Sequence, residues 1–243
     1  MKYIRYYFAL AILALVFVPA CAPAPPADPE AAYRKAVEDA ATADPSEISY
    51  TLTPIVDWNR DLIWDGQGEN ERVLMVTWTS WSGYNGQEGQ TMDLARETWV
   101  TPAPDIKDFC QANWLAPPDL VPRLEELLGL PPNNGKTTFV EMWVKPADLF
   151  RPTPDPEITD REAELDFPKV DGSLSVTDAY IQWFNTLMDS SYGENGYPWT
   201  RLGYTYDWGN PASEVGLSEF VIRKGATVEV HSVSTTEDYC RWW

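Results

Sequence analysis

One histidine, His231, is all that 243 residues contain. HExxH zinc sites, two-histidine redox centres and zinc-finger spacings need more, so they are excluded. Cysteine is scarce as well, with Cys21, Cys110 and Cys240 the only three. A catalytic Cys110 would have only His231 to draw on. No G-x-S-x-G segment supplies the serine elbow of an α/β-hydrolase. Basic residues are few, 18 Lys and Arg against 37 Asp and Glu, for a net charge of −19. Such a chain does not track nucleic-acid phosphates, nor does charge draw it to an anionic bilayer. Solubility is the plain reading of that charge, and affinity for cations, Ca²⁺ included, the sharper one.

Two motifs fail on spacing. Gly129 to Thr137 looks like a phosphate loop but has five residues between its glycines, follows a helix pattern and opens a strand. A P-loop has four and does the reverse, so a helix-to-strand connection is expected and no nucleotide. The acids of 155–171 suggest calcium, yet an EF-hand register from Asp160 puts Leu165 where glycine belongs and Asp171 where glutamate belongs. A charged surface loop is the default, and an irregular calcium site the alternative.

What the chain does have is aromatic surface: twelve Trp, twelve Tyr and eight Phe. That is too much for a disordered acidic tail, and much of it must be core. At the start, Lys2 and Arg5 precede an uncharged run from Tyr6 to Val18, followed by Val18-Pro19-Ala20-Cys21. This is the layout of an export signal, too short to span a bilayer. The junction resembles the lipobox of bacterial lipoproteins. The resemblance covers the leader alone, and the domain beyond it matches no family pattern.

It implies that residues 1–20 are a signal peptide and that Cys21 becomes the lipidated first residue, with the membrane as partner through its anchor. Ala22, in place of Asp, implies the periplasmic face of the outer membrane in a two-membrane cell, and the cell surface otherwise. Simple secretion and an uncleaved anchor are the alternatives. Residues 21–29 then form a stiff proline-rich tether, and residues 30–243 a single extracytoplasmic domain. With Cys21 lipidated, Cys110 and Cys240 remain, and an oxidising compartment favours a disulfide over two buried thiols.

The pattern along the domain predicts helices over residues 30–43 and 119–128 and from Asp178, the last with Ser175 and Asp178 as a capping pair. Leu120, Leu124, Leu127 and Leu128 share one helix face. Strands are expected over 48–55, 62–64, 72–78, 97–101, 137–144, 202–208, 215–222 and 226–233, several in hairpins. The last two flank Arg223-Lys224-Gly225 as one hairpin. In the final strand, alternation sets Glu229, His231 and Val233 opposite Val228, Val230 and Ser232. The fold class is α+β, a mainly antiparallel sheet built from hairpins with two to three helices.

The best site candidate is Tyr192 to Asn210. Tyr197, Trp199 and Trp208 supply rings beside Arg201 and Asp207, the combination sugar recognition uses. Gly193, Gly196, Gly203 and Gly209 would let the backbone approach a ligand. An aromatic core strand with a surface Arg201–Asp207 pair is the competing reading. Glu97, Glu141, Asp207 and Glu219 all lie on or beside strands, but a hydrolytic pair needs a defined separation that sequence does not report. The reading is therefore a binding or envelope-interaction module, with glycan or another envelope component as ligand, no metal and no cofactor. A glycan hydrolase acting near Asp207 and a structural lipoprotein without a small-molecule site are the alternatives; no catalytic residue is assigned.

Overall fold

The computed structural model describes residues 28–113 and 117–241. The leader, Cys21 and most of the tether lie outside the described residues. The architecture is α+β, dominated by an antiparallel sheet. Its strands are β1 (Trp64–Asp65), β2 (Arg72–Thr79), β3 (Thr91–Asp93), β4 (Thr98–Pro102), β5 (Thr138–Val144) and β6 (Leu149–Phe150). Two short ribbons follow in the chain, β7 (Lys169–Val170) with β8 (Ser173–Leu174), and β9 (Tyr204–Tyr206) with β10 (Val215–Ser218). The large sheet is completed by β11 (Phe220–Ile222) and β12 (Thr227–Thr235). Its order is β3-β12-β5-β2-β4-β11-β6, with β1 paired to β2.

Period-2 alternation gives the sheet two buried faces. Val73 and Met75 of β2 join Val140, Met142 and Val144 of β5 and Val228 and Val230 of β12 on one side, beneath Ile55, Leu62, Tyr84 and Leu94 from loops. Leu74, Val76, Trp78 and Phe139 point the other way, under helices. The sheet is strongly curled. In flat form β11 and β12, four strand spacings apart, would lie about 19 Å from each other. Only residues 223–226 join them, and these form a turn, Ala226 N–H donating to the Arg223 carbonyl. Leu94 closes the curl by exchanging backbone bonds with Gly225 and Ala226.

Five helices are seen rather than two or three: α1 (Pro29–Ala40), α2 (Ala103–Asn113), α3 (Pro117–Leu127), α4 (Asp178–Ser191) and the single turn α5 (Thr236–Tyr239). α3 buries Leu120, Leu124 and Leu127 against the sheet, with α2 and α5 beside it. α4 covers the β6–β11 end, where Phe150 meets Tyr180 and Trp183 edge to face. Its N-cap is Thr177, whose side chain accepts from Tyr180 N–H; Ser175 instead donates to the Pro168 carbonyl. Cys110 of α2 and Cys240 after α5 sit with sulfurs 2.03 Å apart, across 130 residues of chain. No described helix is long and apolar enough to cross a membrane.

Four strand expectations change, the first being residues 215–222, which form not one strand but two, β10 in the ribbon and β11 in the large sheet. Residues 48–55 are extended but join no sheet; Leu52 and Ile55 donate instead to the carbonyls of Arg161 and Ile158, and Tyr50 stands exposed. β11 and β12 are consecutive yet never pair, since β11 lies between β4 and β6, and β12 between β3 and β5. The register of β12 also shifts between Val230 and Ser232. A bulge at His231 reverses the alternation beyond it, so Val233 joins the core of Val228 and Val230 and Ser232 turns to Glu141.

Candidate functional site

A cavity of about 560 Å³ lies at the β2–β4 part of the sheet, lined by residues of both cores. Its floor is the C-terminal half of β2 with β4, through Val76, Trp78, Trp99 and Thr101. The walls include the loop leaving α3, Leu128 to Leu130, and beside it the end of α4 and the chain into β9, with Leu187, Tyr197 and Trp199. Trp81 and Tyr197 stand at the rim, 48% and 52% exposed. Each follows or precedes a glycine at close approach. A Cβ on Gly83 would fall 2.0 Å from the Trp81 ring, and one on Gly196 2.0 Å from the Ser191 carbonyl that anchors Tyr197 N–H.

The acids sort by their partners. Glu141 is buried in the centre of β5 and accepts from Lys107 Nζ at 2.5 Å, Ser232 Oγ at 2.7 Å and Tyr239 OH at 2.9 Å. Burial works to raise its pKa, but these donors outweigh it and the net shift is downward. Asp207 takes a bidentate grip from Arg123, at 2.8 and 2.6 Å. Glu97 accepts from the Trp183 indole N–H at 2.9 Å. Glu219 differs from all three. It falls between β10 and β11, where the chain leaves the ribbon for the large sheet, and its backbone N–H is tied to the Gly203 carbonyl. Its side chain lines the cavity, half-buried and deep in the protein, and among the described residues no hydrogen bond or opposite charge offsets its desolvation. Desolvation pushes its pKa from 4.5 up to about 8. It is therefore a carboxylic acid that is largely protonated at neutral pH and has an unused hydrogen-bonding head.

Two basic groups share the cavity. Lys136 donates to the Trp78 carbonyl at 3.0 Å, and its burial pulls its pKa below the usual lysine range. Arg96 lies exposed on the loop between β3 and β4.

The candidates in Tyr192–Asn210 divide. Tyr197 and Trp199 line the cavity, Trp199 from a buried position where its indole donates to the Pro152 carbonyl and its ring meets Trp99 edge to face at 6.4 Å. Arg201, Asp207 and Trp208 are not part of the lining. Arg201 has a positive φ of 60° and donates to the carbonyls of Ala40 and Ala41, tying α1 to the domain. Asp207 answers Arg123 rather than Arg201, and Trp208 donates to the Leu130 carbonyl. Gly203 and Gly209 press against Arg151 and Glu126, not against an open site.

The acidic loop has its own organiser. Arg151, 1% exposed, ion-pairs with Asp160 and donates to the Asp160 and Glu162 carbonyls. Its acids thus wrap a buried guanidinium. Among the described residues no group of three or more His, Cys, Asp or Glu is placed to hold a metal ion. His231 is exposed beside Trp143, at 5.3 Å. The loop from Gly129 to Thr137 joins α3 to β5, with Asn134 closing it onto Glu125.

Glu219 was visible in the sequence only as one of several acids near strands. The cue that sets it apart is a charge immediately before the apolar run Phe220 to Ile222. The chain matches no protein-family model, no curated protein and no solved structure.

Proposed function

We propose that this protein is a lipid-anchored, extracytoplasmic binding module that takes a small, largely apolar ligand into the cavity between β4 and α4. The single observation that carries the binding reading is an aromatic-walled space of about 560 Å³ containing a carboxyl group with no protein partner. Ligand sites combine these features: apolar walls for affinity and a few convergent polar groups for orientation. The leader supports the location and the disulfide-distance pair supports an oxidising compartment.

Two experiments test this. Incorporation of a fatty-acid analogue should depend on Cys21, and an unchanged label in Cys21→Ser would remove the anchor from the proposal. For binding, the full chain is screened by thermal shift against uncharged amphiphiles, organic cations, organic anions and cell-wall glycan fragments. Hits at the cavity should lose their effect in Leu187→Trp, which places a larger ring on the wall. A screen in which no compound gives a shift sensitive to Leu187→Trp would sink the binding reading.

A further inference from the structure

We propose that the ligand is an organic cation, its charged nitrogen seated against Glu219 and faced by the rings of Trp99, Tyr197 and Trp199. This rests on the cavity being the binding site and names the class of molecule it takes. Three observations lead there. Glu219 lines the cavity with no hydrogen-bonding or ionic partner for its side chain among the described residues, and a cation is the partner that lets a desolvated carboxylate ionise. The lining includes Trp99, Tyr197 and Trp199, and Trp and Tyr rings attract cations through their quadrupoles. Elsewhere the protein uses this interaction itself. Arg72 lies over Trp143, Lys107 over Tyr239 and Arg201 over Tyr192, whereas the described cation–ring contacts include no ring of the cavity.

The surrounding charges agree. Asp93 and Glu97 lie along the wall between β3 and β4, and the net charge of −19 draws cations toward the molecule. Lys136 is engaged with the Trp78 carbonyl, Arg96 is exposed, and neither forms an ion pair with Glu219.

Proton release gives a readout that simple pocket filling would not produce. With its pKa near 8, Glu219 is about nine-tenths protonated at pH 7. A quaternary ammonium cannot carry that proton, so ionisation of Glu219 on binding sends it to solvent. The test is calorimetry on the full chain at pH 7, in two buffers of different ionisation enthalpy. Choline and benzyltrimethylammonium are the cationic probes. 3,3-Dimethylbutan-1-ol is the control, having the shape of choline without the charge.

The expected result is that at least one cation binds, with release of about one proton. Choline, if it is the binder, should exceed the alcohol by about tenfold or more. Glu219→Gln should abolish proton release and most of the preference while keeping a folded thermal transition. Equal binding of choline and the alcohol, or cation binding without proton release, would overturn the cation assignment and leave the cavity as a binding site. Failure of both cations would also overturn it. The wider binding reading would then stand or fall on the screen with uncharged and anionic compounds.

Discussion

Replacing Glu219 with glutamine should make the protein more stable, and increasingly so as the pH rises. In the unfolded chain the carboxyl ionises near pH 4.5, and in the folded protein near 8. Between those values the native state holds a proton that the unfolded state has lost. Stability therefore falls with rising pH, because the unfolded state binds fewer protons there. The penalty is absent below pH 4.5, grows through the window and is complete above about 8. At 1.36 kcal/mol per pKa unit the full effect is at most about 5 kcal/mol, and water admitted to the cavity reduces it. Even half of that is a large share of the roughly 5–15 kcal/mol that holds a domain together. Glutamine keeps the shape and a polar head but cannot ionise. The assay is urea denaturation of wild type and Glu219→Gln at pH 5, 6, 7, 8 and 9. Taking the difference at each pH cancels every other titrating group. The variant's advantage should rise by about 3 kcal/mol between pH 5 and pH 8 and then level off. A difference that stays flat across the series would mean that Glu219 is solvated in the folded protein, and the argument from its burial would fail.

Other sites give separable outcomes. Arg123→Ala should cost about 3 kcal/mol in urea denaturation, because it strands the Asp207 carboxylate, and adding Asp207→Asn should recover part of the loss. A cost under about 1 kcal/mol would mean that water already screens the pair. Cys110→Ser with Cys240→Ser should lower stability by about 2–5 kcal/mol, since the bridge spans 130 residues. Full alkylation of both thiols without reductant would instead show that no bridge forms in the native protein. Trp199→Ala should cost about 3–5 kcal/mol, the ring being 6% exposed. Tyr197→Ala, at the rim, should shift stability by less than about 0.5 kcal/mol while weakening any ligand held in the cavity.

The elements legible in the sequence are those whose pattern is set by a neighbour on one side or both. β2, β5 and the first half of β12 alternate because each face meets a different core. α3 shows its leucine stripe because one face alone is buried. α2 was missed because Pro102 and Pro104 punctuate its start and its buried positions, Ala103, Ile106 and Cys110, make a thin stripe. Residues 48–55 alternate like a strand, yet their backbone is satisfied by the acidic loop rather than by a sheet. Period 2 reports an extended chain against a wall, not which chain supplies the hydrogen bonds. The bulge at His231 is likewise invisible locally, for it is defined by the register against β5.

The site follows the same division. Tyr192 to Asn210 is aromatic for two reasons at once, and composition does not separate them. Tyr197 and Trp199 face the cavity, while Trp208, Arg201 and Asp207 lock that segment onto α1, α3 and the loop after it. In sequence, Glu97, Glu141, Asp207 and Glu219 are interchangeable acids near strands. What distinguishes them is the donor each one meets: an indole, a lysine with two hydroxyls, an arginine, and for Glu219 none. Those donors come from parts of the chain 34 to 98 residues away from the acid they serve. A functional carboxyl in this fold is thus recognised by a partner that the rest of the protein withholds, and only the folded chain displays such an omission.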